Sequence, residues 1–113
     1  MAELFIKGLI VHLVVDFFLQ SDWISDNKTN ILHPAAWVHG VLNTLGNLLV
    51  FTAPIAIGLG ISHILLDTRY PLRWWRQLFR QNPQGEDART FYLLQDQAAH
   101  IILLGVVVLL FAQ

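Results

Sequence analysis

The sequence predicts an all-α protein: a four-helix transmembrane bundle with a cytoplasmic interfacial amphipathic helix between helices 3 and 4, residues 1–113 forming one integral-membrane domain. Three observations carry this prediction. First, 55% of the 113 residues are hydrophobic and 13% are charged, against about 25% charged in an ordinary soluble domain, and mean hydropathy is +0.52. Second, the apolar residues gather into four segments separated by polar or proline-marked breaks. Third, each segment carries two polar side chains four residues apart: His12 with Asp16, His39 with Asn43, His63 with Asp67, and Asp96 with His100. That spacing is about one helical turn, so each pair lies on one helix face. The surroundings are Leu, Ile, Val and Phe, where a carboxylate is costly unless something pairs with it.

The first span covers about residues 4–19 and is expected to be retained rather than cleaved. No basic residue precedes Lys7, no small-residue cleavage site is evident, and His12 and Asp16 interrupt the apolar run. A polar loop, Gln20 to His33, follows. Pro34 opens the second span, 34–51, because a missing N–H costs nothing in a helix's first turn. Thr52, Ala53 and Pro54 mark a tight break, and the third span runs over 54–67. The alternative is a single long kinked helix; Pro54 with Gly58 and Gly60 favours a hairpin. The fourth span covers 90–112, with Asp87 a candidate N-cap. A spanning helix needs at least about 17 residues. The first and third spans are at or below that limit, which implies snorkelling or local bilayer thinning.

The connector between spans three and four reads R-Y-P-L-R-W-W-R-Q-L-F-R from Arg69 to Arg80. Trp74, Trp75, Leu78 and Phe79 fall on one side and Arg73, Arg76 and Arg80 largely elsewhere, the pattern of an interfacial helix with an aromatic anchor and anionic headgroups as partners. Lys28, Arg69, Arg73, Arg76, Arg80 and Arg89, six of the seven basic residues, lie in the first and third connectors. The positive-inside rule makes that side cytoplasmic and puts both termini outside, in the manner of a bacterial inner-membrane protein. All four polar pairs then fall in the cytoplasmic half of the bilayer at comparable depth.

A net charge of −1 gives no reason to expect nucleic acid as a partner, and the absence of cysteine excludes thiolate ligands and disulfides within these residues. The expected metal ligands are His12, Asp16, His39, His63, Asp67, Asp96 and His100. Imidazole and carboxylate together suit Zn, Fe, Mn or Ni, and seven potential ligands exceed what one tetrahedral ion needs. The excess fits either two ions with bridging carboxylates or one ion whose histidines are oriented by aspartates. Asp16, Asp67 and Asp96 are the catalytic candidates as bridge or base. Gln20 and Lys28 lie at the rim, placed to close the site or touch a substrate. Two other readings of the pairs stay open: interhelical hydrogen-bond glue and a proton or ion path. Asn43 reads as structural, His33 as an interfacial or N-cap residue, and Gly40, Gly46, Gly58 and Gly60 as points of close helix contact.

The string H-L-V-V-D-F-F-L-Q-S-D-W followed by N-K, with a mid-chain His, S-H-I-L-L-D and a late D-Q-A-A-H, resembles a family of small bacterial and phage membrane proteins, the family of unknown function DUF3307. The resemblance covers nearly the whole chain, and His12, Asp16, Gln20, Lys28, His39, His63, Asp67, Asp96 and His100 match its polar positions. It implies a fold and no activity. A weaker similarity, by analogy alone, is to membrane-bound metal-dependent hydrolases with His and Asp on short transmembrane helices. The functional expectation is an integral-membrane metal-binding protein, with a metal-dependent hydrolase as its concrete form. The alternatives are a non-enzymatic structural or accessory subunit of a larger membrane complex, a homo-oligomer included, and an ion or proton conductor.

Overall fold

The computed structural model describes residues 2–112. Among them are six helices and no strand: α1 (Ala2–Phe17), α2 (Asp22–Asn27), α3 (Pro34–Leu48), α4 (Ala53–Asp67), α5 (Tyr70–Leu78) and α6 (Ala88–Phe111). The four longer helices overlap the expected segments: α1, α4 and α6 begin one or two residues earlier, and α1, α3 and α6 end one to three residues earlier. Phe18 and Leu19 lie beyond α1, and Leu49, Val50 and Phe51 form the turn between α3 and α4. Hydropathy continues past these helix ends because it tracks the apolar environment rather than backbone hydrogen bonding; Phe51, outside any helix, is buried. Among the described residues one helix, the 24-residue α6, is long and apolar enough to cross a membrane, and α4 is a shorter apolar helix.

The expected loop 20–33 contains a helix, α2. Ser21 caps it by accepting from the Ile24 N–H at 3.3 Å, Asp22 occupies its first turn, and Ile24 is buried against α3. These cues were present in the sequence, but six residues are too few for a periodic signal. His33 is the N-cap of α3: its Nδ1 accepts from the Ala35 N–H at 3.0 Å, with Pro34 in the first turn. Asp87 occupies the N-cap position of α6 without a side-chain capping bond.

Helices α3 and α4 form the hairpin rather than one kinked helix. Their backbones meet at Gly40 and Gly60, where a Cβ on Gly40 would strike the Ile64 side chain and one on Gly60 would strike Thr44. A Cβ on Gly60 would also lie 3.2 Å from the Gly40 carbonyl oxygen, so the approach is backbone to backbone. Gly58, by contrast, faces open space. Helix α1 packs on α3 and α6, and α6 also packs on α4. Helix α5 rests on α4 through buried Leu72. Arg76 ties it to α6 by donating to Gln95 Oε1 at 2.8 Å and covering the Tyr92 ring at 4.6 Å. Trp74, Trp75 and Leu78 stay exposed.

The interior divides into two ends. Phe51, Leu59, Leu104 and Val108 form an apolar core with Leu4, Phe5 and Leu9 packed on it, at the end holding the start of α1 and the close of α6. The other end holds the polar pairs. The exterior is largely apolar: Ile6, Ile10, Val41, Leu45, Ile57, Ile61, Ile102 and Leu109 are all exposed. Ionisable groups inside and aliphatic groups outside invert the usual soluble arrangement.

Candidate metal centre

Each of α1, α3, α4 and α6 turns its polar pair inward. His12, Asp16, His39, Asn43, His63, Asp67, Asp96 and His100 are all buried, His39 to 1% exposure. The spacing that put each pair on one face also puts the four faces together, because successive long helices run in opposite directions and bring the late part of α1 and α4 level with the early part of α3 and α6.

At the centre are four atoms from three helices. His39 Nε2 and His63 Nε2 are 2.8 Å apart. Asp16 Oδ1 lies 3.0 Å from the first and 3.2 Å from the second. Asp67 Oδ2 lies 3.5 Å and 3.1 Å from the same two nitrogens. A tetrahedral ion bound by nitrogen and oxygen at about 2.0–2.1 Å sets its ligand atoms roughly 3.3 Å apart. The five separations, 2.8–3.5 Å, bracket that spacing as well as the range of imidazole–carboxylate hydrogen bonds, and two imidazoles with two carboxylates form a donor set suited to Zn, Fe or Mn.

A second group adjoins the first through the other oxygen of Asp67. His100 Nδ1 is 2.7 Å from the Asp96 carbonyl oxygen, which only accepts, so Nδ1 carries the proton. In the neutral ring Nε2 is then a bare lone pair, and it faces Asp67 Oδ1 at 3.3 Å. Asp67, Asp96 and His100 could thus hold a metal ion, as could His39 with His63 and Asp67, and His12 with Asp16 and His63, the candidate atoms of each set lying within 4.8 Å of one another. Asp16 Oδ1, both oxygens of Asp67, Asp96 Oδ1 and His100 Nε2 are buried and accept no hydrogen bond, although imidazole nitrogens lie within ion-pairing distance. These acceptors can be met by protons on the facing imidazoles, as the short imidazole–carboxylate distances allow, or by a metal ion held among the same groups.

His12 is held differently. Its Nε2 lies 2.9 Å from Gln97 Oε1 and donates to it, and Gln97 Nε2 donates to Asp16 Oδ2 at 3.3 Å. The His12 ring stacks on His100 with centroids 5.3 Å apart. Gln97 is a residue that sequence reasoning missed; it sits between Asp96 and His100 but is neutral and outside the four-residue period. Asn47 was also missed, though it continues that period from Asn43: its Nδ2 donates to the Asn43 carbonyl and Oδ1, both at 3.0 Å. The two amides line a cavity of about 30 Å³ with Gly8, His12, His63 and His100, large enough for a water with several polar partners.

Lys28 and Gln20, the expected rim residues, both lie beside the cluster. Lys28 is buried, with Nζ 3.8 Å from Asp67 Oδ1. Gln20 Oε1 is buried without a hydrogen-bond partner. Both line a cleft of about 740 Å³ whose inner end is Asp16, Asp96 and Gln97, so the cluster is reachable from the end carrying the basic connectors. His33 stands apart from the cluster, at the start of α3 against Trp23.

No curated protein and no solved structure matches the chain. A family described as "Protein of unknown function (DUF3307)" matches residues 4–113, and the chain belongs to that family.

Proposed function

We propose that this chain is an integral-membrane metalloprotein whose buried His/Asp cluster binds one or two divalent ions and hydrolyses an ester or phosphoester. The observation that carries the reading is the four-atom set of His39, His63, Asp16 and Asp67, with separations of 2.8–3.5 Å. Asp67 divides its two oxygens between that set and His100. His39, His63 and Asp16 would hold a first ion, and His100 with Asp67 would hold a second, with Asp96 beside it. His12 orients Asp16 through Gln97 from outside the ligand set. Such an ion, when bound, would supply a water acidified toward neutral pH. Asp96, buried at the inner end of the cleft, is placed to take that water's proton and return it to the departing ester oxygen.

In the same reading, α1, α3, α4 and α6 form a four-helix transmembrane bundle in a bacterial inner membrane, and α5 lies in its cytoplasmic interface. Helices of 15 and 16 residues are only about 22–24 Å long, so the bilayer thins around them. The apolar exterior and the loop charges support this arrangement. The apolar core of Phe51, Leu59, Leu104 and Val108 beyond the cluster favours this reading over conduction. A purely structural role for the pairs rests on the same salt bridges and is the reading to be separated by experiment.

Cobalt substitution tests the ligand set. Co(II) added to the detergent-purified protein should give the intense visible bands of a four-coordinate site, and His39→Ala with His63→Ala should remove them. Only weak octahedral absorption, unchanged by the double substitution, would refute the site.

A further inference from the structure

We infer that the cleft outside the cluster is a binding site for a phosphate group, held by Arg69, Arg89 and Lys28. This rests on the proposed hydrolytic centre for its position and names the substrate class that such a centre would take. The cleft joins Lys28 on the first connector, Arg69 at the α4–α5 junction and Arg89 at the start of α6 around Asp16 and Asp96. The two carboxylates are buried and face the cluster, whereas both arginines are exposed. Neither guanidinium makes a hydrogen bond or an ion pair among the described residues. The two arginines therefore stand at the mouth, with Lys28 buried deeper beside Asp67, while Asp16 and Asp96 lie inward, and divalent ions held by those carboxylates would leave the cleft net positive.

The backbone at Arg69 points the same way. Its φ of 67° and ψ of 0° are left-handed, a conformation that follows helix ends and is usually given to glycine or asparagine. An arginine there accepts strain, and Arg69 lines the cleft as well as the adjoining hollow that it shares with Arg73, Arg76 and Asp96. Arg80 has a φ of 53° after α5 but does not line the cleft, and it provides an internal comparison. Guanidinium groups bind phosphate oxygens in pairs, and the buried ammonium of Lys28 adds a point charge beside them. Three cations suit a dianionic phosphate better than a single carboxylate. The volume of about 740 Å³ falls in the range of small-molecule sites. Phe17, Tyr92 and Leu93 give the same cleft an apolar side, compatible with either a phosphorylated solute or a lipid headgroup.

The test is inorganic phosphate binding by calorimetry to the full chain in neutral phosphatidylcholine nanodiscs, with metal content measured on the same samples. Saturable binding is expected, weakened about tenfold or more in Arg69→Ala/Arg89→Ala and less than about twofold in Arg73→Ala/Arg80→Ala. Equal losses in both pairs, no loss in either, or unsaturable binding by the wild type would overturn the inference. If the double alanine loses helicity by circular dichroism, Arg69→Gln and Arg89→Gln singly carry the same comparison. Arginine-dependent binding by a metal-free protein would uphold the phosphate site and reject the metal reading. Metal without arginine dependence would do the reverse. Competition by phosphatidic acid in the bilayer identifies a lipid source, and competition by glycerol 3-phosphate alone identifies a solute.

Discussion

His39 and His63 face each other Nε2 to Nε2 at 2.8 Å across the α3–α4 hairpin, and that distance depends on a glycine contact close by. Gly40 follows His39 and Gly60 precedes His63 by less than a turn, and their backbones touch. The hairpin can close this far only because neither position has a side chain. Asp16 from α1 then meets both imidazoles, which makes the cluster a joint product of three helices.

Gly60→Val should therefore push the hairpin apart, with a stability loss of about 1–3 kcal/mol typical of overpacking and loss of bound metal. Gly58→Ala is the matched control. Its Cβ enters open space, so it should be neutral or stabilise by up to about 1 kcal/mol through helix propensity. Thermal unfolding of the two variants in the same detergent checks both. Equal Tm values would show that the close approach is unimportant.

Gln97→Leu removes the acceptor for His12 and the donor to Asp16. Metal affinity should fall about 10- to 100-fold, the usual cost of losing a group that orients ligands, with helicity unchanged. Competition titration against a chromophoric chelator measures it. An unchanged affinity would place Gln97 and His12 outside the metal's support.

Because the chain has no cysteine, single cysteines report topology cleanly. Asp26→Cys and Gln84→Cys should react with an impermeant maleimide only from the cytoplasmic side, and Leu49→Cys only from the opposite side. Reaction of all three from one side would contradict the four-span reading.

Trp74 and Trp75 are exposed on α5 and should sit at the headgroup boundary. In a Trp23→Phe/Trp37→Phe background, lipids brominated near the glycerol should quench their fluorescence more than lipids brominated near the chain end. Quenching by neither would remove α5 from the membrane surface.

Much of this arrangement was legible in the sequence, for a physical reason. A charged residue in an apolar helix must find partners, so His12, Asp16, His63, Asp67, Asp96 and His100 announced a shared interior. Pro54 announced the hairpin, and Pro34 with His33 the start of α3. What stayed hidden depends on tertiary contact or on short local structure. Gln97 gains its role from α1, eighty-one residues away at Asp16, and carries no charge to signal it. The left-handed Arg69 leaves no trace in composition or periodicity. Helix α2 is stabilised by Ile24 packing on α3, which no hydropathy window detects.

The central claim is that the buried histidines and aspartates hold a metal ion rather than only each other. Elemental analysis of the detergent-purified protein, beside His63→Ala/Asp67→Ala, tests it most directly. The account predicts one or two equivalents of Zn, Fe or Mn per chain in the wild type and none in the double variant. A wild-type protein that stays empty after repletion with each of these ions would contradict it and leave the imidazole–carboxylate salt bridges as the whole of the site.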